Sequence, residues 1–175
     1  MADAVLVPEL AGMSGIHVPT LLDAIAMVET SGCSLGGMNF EESYMPEGST
    51  FGIEGKVLRG TGRLFRAEVV EAFRAWGVFA CCSVGPWQIM SSECWRFGYR
   101  GPWIDLACSV NVVRPYVLKK LGAIARDLVS HGITPSVELI AEAWNTGSAR
   151  DRFQNTDYQR WVRRAYDALA VQHRA

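Results

Sequence analysis

Between Gly32 and Gly62 the chain is interrupted by Gly36, Gly37, Pro46, Gly48, Gly52, Gly55 and Gly60. Glycine costs about 1 kcal/mol in a helix interior and proline about 3 kcal/mol, so no stable helix fits there. The segment reads as loop and short hairpin, and a stretch of that length in a compact domain usually serves function. On either side, apolar residues recur at helical spacing. Leu21, Leu22, Ile25 and Val28 share one face of a first helix, with Thr20 as N-cap, Asp23 three residues on, Pro19 just outside and Gly32 as terminator. Arg63 to Trp76 carries a stripe of Leu64, Phe65, Val69, Phe73 and Trp76 that stops at Gly77. Ser91 or Ser92 caps a short helix through Phe97, ended by Gly98. Asp105 opens a helix to about His131, with Pro115 forcing a kink or a break. Thr134 caps and Pro135 begins a helix that ends near Asn145 and Gly147. Tyr158 to Val171 is the last, with Val162, Ala165 and Leu169 turned inward. The expected class is mainly α (α+β), with a small β or loop insertion over residues 33–62 and an N-terminal extension over 1–17.

A chain of 175 residues is close to the commonest size of one domain, which is the organisation expected here. Hydrophobic residues make up 49% and charged residues 20%, a globular balance rather than a disordered one. With 17 basic against 18 acidic residues the net charge is −1, so nothing global points to nucleic acid. Arg160, Arg163 and Arg164 around Trp161 read as a solvated helix face. No apolar run approaches the ~20 residues of a membrane helix, and Met1 to Gly15 lacks the basic start of a secretory signal. The five cysteines, Cys33, Cys81, Cys82, Cys94 and Cys108, show no metal-ligand spacing, and no metal or cofactor is expected. Reduced, mostly buried thiols from cytoplasmic folding are preferred over disulfides.

Glu29 falls in the last turn of the first helix, at the edge of whatever cleft that helix borders. The helix dipole disfavours a carboxylate there, which helps an acid that must keep its proton. Apolar neighbours such as Met27 and Val28 act in the same direction. The segment Ala26-Met27-Val28-Glu29-Thr30-Ser31-Gly32 is followed by Ser83-Val84-Gly85-Pro86-Trp87-Gln88-Ile89-Met90, then by Ala143-Trp144-Asn145-Thr146-Gly147, and then by Tyr158 with Val162. In that order these resemble the Glu-Ser, Gly-Leu-Met-Gln and Ala-Tyr-Asn-Ala-Gly motifs and the final-helix Tyr and Val of soluble lytic transglycosylases and goose-type lysozymes. Asp105 and Asn111 stand where that family has a helix cap and a buried Asn. Pro86 and Trp87 depart from the pattern, which has Leu and Met.

The resemblance implies a lysozyme-like helical fold and cleavage of the MurNAc-GlcNAc bonds of peptidoglycan, with Glu29 as general acid. It implies substrate contacts from Ser83, Gly85, Trp87, Gln88, Asn145 and Tyr158. Gly85 would admit a sugar close to the backbone, Gln88 would offer a donor and an acceptor to an N-acetyl group, and Trp87 would stack on a sugar face. Hydrolysis needs a second carboxylate, for which Glu41 and Glu42 rank first among Glu41, Glu42, Glu47 and Glu54. Transglycosylation needs none, because one Glu serves as acid and then as base while a 1,6-anhydro ring closes. Hydrolysis ranks slightly ahead. The alternatives are an inactive wall-binding or virion structural module and a glycosidase acting on another glycan such as chitin. The expected partner is the glycan strand, reached by phage carriage, by holin release or with the help of a leader trimmed from the given sequence, together with virion or secretion components in such a route.

Overall fold

A computed structural model describes residues 13, 15–30, 38–53, 56–60, 67–147 and 156–172. The chain is mainly helical, with a small three-stranded sheet and a separate two-stranded hairpin. It divides into two compact units, one made of residues 1–34 and 118–175, the other of residues 35–117. Among the described residues, no helix is long and apolar enough to cross a membrane.

The first unit is helical. Helix α1, Val18–Glu29, buries Leu21, Leu22 and Ile25 of the expected stripe together with Ala24, while Val28 is only half-buried. Its N-cap is His17 rather than Thr20. Proline is tolerated in a first turn, whose N–H groups lack partners anyway, so Pro19 lies inside the helix and pulls Thr20 in with it. Thr20 is fully buried, with its hydroxyl 2.7 Å from His17 Nδ1. The helix stops at Thr30, whose N–H and hydroxyl both donate to the Ala26 carbonyl, at 3.0 and 2.7 Å. The expected terminator Gly32 lies outside the described residues.

Helix α5, Val110–Ser130, contributes its C-terminal part to this unit, followed by α6, Val137–Thr146, and α7, Thr156–Gln172. Ser136, not Thr134, caps α6 by accepting from the Leu139 N–H at 3.2 Å, and Pro135 precedes the helix. Gly147 ends it at φ +77°, a conformation glycine adopts without penalty. Helix α7 packs on both α1 and α6. Tyr166 accepts from the His17 N–H at 2.9 Å, and Tyr158 donates to Glu29 at 2.6 Å. The second half of α7 therefore meets the start of α1, and the two helices run antiparallel. Arg160 pairs with Asp157, and Arg163 with Asp167 and with Glu138 of α6, so these arginines lie on a solvated face among carboxylates.

The second unit holds the strands. Strand β1, Asn39–Phe40, pairs with β4, Cys82–Val84, which pairs with β5, Ile89–Met90, all antiparallel. Strands β2, Thr50–Ile53, and β3, Lys56–Arg59, form the hairpin expected within the glycine-rich segment. Helix α2 is described over Ala67–Trp76, with Val69 and Ala72 buried and Phe73 half-buried; Leu64 and Phe65 lie outside the described residues. At Gly77 the chain tightens into a 3-10 turn through Cys81 rather than leaving helical geometry. Helix α3, Ser91–Arg96, has Met90 at its cap position. Ser91 instead donates to the Cys82 carbonyl at 2.8 Å, and Ser92 is buried, so neither serine caps the helix.

The expected helix from Asp105 to His131 is two helices. Helix α4, Trp103–Cys108, ends at an extended Ser109, whose carbonyl then accepts from Val112 and Val113 at the start of α5. Asp105 sits in the first turn of α4, with Pro102 at the cap. Pro115 stays within α5 because it and Asn111, whose carbonyl it deprives of a partner, are both exposed to water. Asn111 is thus an exposed residue and not the buried Asn that the resemblance implies.

Cys81, Cys82 and Cys94 are buried packing residues, Cys108 is exposed, and all four are free thiols; Cys33 lies outside the described residues. Burial pushes the Cys81 and Cys82 thiols up to about 12 and about 11, which leaves them inert. Gly60 closes the base of the β2–β3 hairpin, exchanging bonds with Ser49 and Gly48 at 2.9 and 3.2 Å. A Cβ there would lie 2.0 Å from the Pro46 carbonyl oxygen and 2.8 Å from Met45 Cβ. Backbone must move to admit it, so Gly60→Ala is expected to cost roughly 2–3 kcal/mol. Urea unfolding of the variant against the wild type measures that loss; an unchanged midpoint would contradict the packing described.

Candidate active site

Glu29 is the last residue of α1 and is half-buried. Helical spacing that buries Leu21, Leu22 and Ile25 leaves Glu29 one turn on, beside the first turn of α7. There the Tyr158 hydroxyl, from a side chain only 5% exposed, donates to Glu29 Oε1 at 2.6 Å. Helix α6 supplies a second donor, the indole N–H of Trp144. Helix α5 supplies the charge of Lys120, whose side chain is buried against Trp144. Lys120 Nζ stands 4.3 Å over the Trp144 ring and 3.4 Å from the Trp144 carbonyl oxygen.

Burial raises the Glu29 carboxyl above its usual 4.5, against the opposing pull of the Tyr158 bond, the Lys120 charge and the Trp144 bond. The Tyr158 phenol is held well above its usual 10, first by burial and then by the charge of Glu29. It therefore acts as a donor throughout the physiological range. Helix α6 also carries Glu142, which is fully enclosed and accepts from Gln159 Nε2 at 2.6 Å. Such a cluster holds a carboxyl that keeps its proton to higher pH than a solvated one and points it in a fixed direction. That is the requirement for a general acid.

In the other unit, Ser83, Gly85 and Gln88 come together at the β4–β5 turn, with Asn39 of β1 as an additional member. Gln88 Oε1 accepts from Ser83 Oγ and from Asn39 Nδ2, each at 2.8 Å, and Gln88 Nε2 donates to the Gly85 carbonyl at 2.9 Å. Both lone pairs of the amide oxygen are used within the protein. Gln88 is thus an internal clip rather than the free acceptor expected for an N-acetyl group. Its backbone is held at φ +48°, unusual for a residue with a side chain, and the three bonds offset that strain. Gly85 at φ +71° is buried, and a Cβ there would lie 3.1 Å from Val113, so its lack of a side chain serves the turn and its packing on α5. Ser83 and Trp87 are 4% and 5% exposed. Trp87 is a core residue with no open ring face for a sugar.

Asn145 is exposed in the last turn of α6. Glu41 is exposed beside β1, and Glu42 accepts from the Arg59 N–H at 2.8 Å, which ties it to the β2–β3 hairpin. Glu47 is exposed, and Glu54 lies outside the described residues. Among the described residues, no group of three or more His, Cys, Asp or Glu is placed to hold a metal ion. Sequence reasoning passed over Lys120, Glu142 and Gln159, and used Trp144 only as a motif letter. Lys120 left a signal, since it falls on the inward face of α5 that Val113, Val117, Leu121 and Leu128 define. Comparison with protein-family models, curated proteins and solved structures finds no match for this chain.

The raised Glu29 carboxyl has a consequence for stability. Between the unfolded value near 4.5 and the higher folded value, the folded state binds more protons than the unfolded one, so stability falls as pH rises through that window. Glu29→Gln removes the ionisation while keeping an oxygen for Tyr158. The variant is expected to melt higher than the wild type at pH 7, with the gap narrowing as pH falls below 4.5. Calorimetry at both pH values tests this, and a variant less stable at pH 7 would contradict it.

Proposed function

We propose that the protein cleaves the glycan strands of peptidoglycan, with Glu29 as the acid that protonates the glycosidic oxygen. The observation that carries this reading is the half-buried Glu29 carboxyl, raised above its usual value by burial and held by bonds from Tyr158 and Trp144. The ordered resemblance of the Glu29, Gln88, Asn145 and Tyr158 segments to lytic transglycosylases and goose-type lysozymes supports the choice of substrate. Proton transfer from Glu29 to the leaving oxygen lets the C1–O bond break as positive charge builds on the ring carbon and oxygen. In hydrolysis, water then adds to C1 and its proton passes to a base. In transglycosylation, the C6 hydroxyl adds instead and returns its proton to Glu29.

Hydrolysis is the first reading, with Glu41 or Glu42 as base. The specific observation favouring the second reading is that the buried glutamate of the same helical unit, Glu142, is enclosed and bonded to Gln159, and so cannot activate water. Glycan cleavage is expected to fall by at least ~10²-fold in Glu29→Gln without loss of fold. Turbidity clearing of purified sacculi reads the rate, and mass analysis of the soluble muropeptides reads the chemistry. Reducing ends that vanish in Glu41→Gln or Glu42→Gln mark hydrolysis. Products lighter by one water, unaffected by either change, mark transglycosylation. Clearing by Glu29→Gln within a few-fold of wild type would remove Glu29 as the acid.

A further inference from the structure

We propose that Lys120 is a positioning residue for the Glu29 acid: its buried ammonium clamps Trp144 from the ring face and the backbone carbonyl, and so holds the indole N–H on the Glu29 carboxyl. The inference rests on the reading of Glu29 as an acid, but its physical content is independent of substrate. Lys120 is only 9% exposed, so its charge is not dispersed into water. A cation 4.3 Å above an indole ring is attracted by the negative face of the ring, and the attraction grows when both are desolvated. The second contact, 3.4 Å from Nζ to the Trp144 carbonyl, fixes the same residue from its backbone. Two contacts on one residue leave the Trp144 side chain little freedom to swing away from Glu29.

The titratable groups that act on Glu29 are Tyr158 from α7 and Lys120 from α5. Helix α6 contributes the neutral Trp144, and also carries Glu142, which is held by Gln159. Of these, Lys120 is the cation. It opposes the effect of burial on Glu29 both directly and through the bond it secures. Without it, the carboxyl would keep its proton to still higher pH and would be a weaker proton donor to the glycosidic oxygen. Lys120 thus sets the pH window in which the acid is ready to give a proton and ready to take one back.

The test compares wild type, Lys120→Gln, Lys120→Met and Lys120→Arg as full chains. Carbon-detected NMR follows the Glu29 carboxyl through a pH titration, and the Trp144 indole N–H resonance is recorded alongside. The expected result is a Glu29 midpoint above wild type in the Gln and Met variants and close to wild type in the Arg variant. The indole resonance should move upfield in the two neutral variants only. In sacculus clearing, the alkaline limb should follow the midpoint. The rate one pH unit above the wild-type optimum, relative to the rate at the optimum, should rise about threefold in Lys120→Gln. Gln retains an N–H for the Trp144 carbonyl, so it separates the charge from the contact should Met prevent folding. A folded Lys120→Gln with unmoved Glu29 and Trp144 signals overturns the proposal, as does failure of both neutral variants to fold, which would make Lys120 a purely structural residue. If the Glu29 midpoint moves as stated but no variant, wild type included, clears sacculi, the positioning role stands and the glycan-cleavage reading falls.

Discussion

The bond from the Tyr158 hydroxyl to Glu29 joins the first turn of the last helix to the last turn of the first, and the geometry around the acid follows from it. A glutamate at a helix end has three rotatable bonds and a fraying backbone beneath it, so by itself it would sample many directions. Here α1 is held against α7 at both ends, by His17 with Tyr166 and by Glu29 with Tyr158. The intervening Leu21, Leu22, Ala24 and Ile25 are buried. Position of the carboxyl is thereby a property of helix packing. A shift of α1 along α7 by one residue, 1.5 Å, would stretch both end bonds at once.

The cost of this arrangement lies in the polar groups it encloses. Lys120, Glu142, Gln159 and Thr20 are all buried in the helical unit, amid residues such as Leu121, Leu128 and Ile140. Taking a charged group out of water costs several kcal/mol unless partners replace the lost solvation, and well-packed apolar residues of similar volume are often at least as stable. Gln159 on Glu142 and Trp144 on Lys120 are partial replacements. A helical unit built for stability alone has no use for such a set. The proposed role of Glu29 gives it one, because cation, donor and burial act on the carboxyl proton in opposite senses and their balance can be set.

The β4–β5 turn shows a different use of polar residues. Gln88 spends its amide on Ser83, Asn39 and Gly85, and so fastens β1, β4 and the turn with one side chain. A glutamine placed to read a substrate would keep its oxygen lone pairs open. A glutamine that fixes a strained turn uses them. The backbone at φ +48° belongs to the second kind, since the three bonds that satisfy the amide are also those that hold the strain. Any ligand meeting this turn would find the backbone and the exposed Asn39 rather than the Gln88 oxygen.

The helical periods of Leu21–Ile25 and of Tyr158–Val162 were legible because burial repeats with the helix, and a repeating signal survives in one sequence. The glycine-rich segment announced its hairpin for the converse reason. Helix ends were less legible: Thr20, Ser91 and Thr134 each satisfy a capping rule, yet the caps fall at His17, Met90 and Ser136. His17 caps α1 because Thr20 is claimed by the interior, and Ser91 does not cap α3 because the Cys82 carbonyl claims its hydroxyl. Site residues divide the same way. Glu29 and Tyr158 were found through motif order, whereas Lys120 looked like one more basic residue on a long helix, and only its place on the inward face of α5 separates it from Lys119. Spacing can carry that distinction, since Val113, Val117 and Leu121 define the face and Lys120 falls within it. A charged residue at an apolar position is a conflict between local pattern and burial, and such conflicts collect where a protein needs chemistry more than stability.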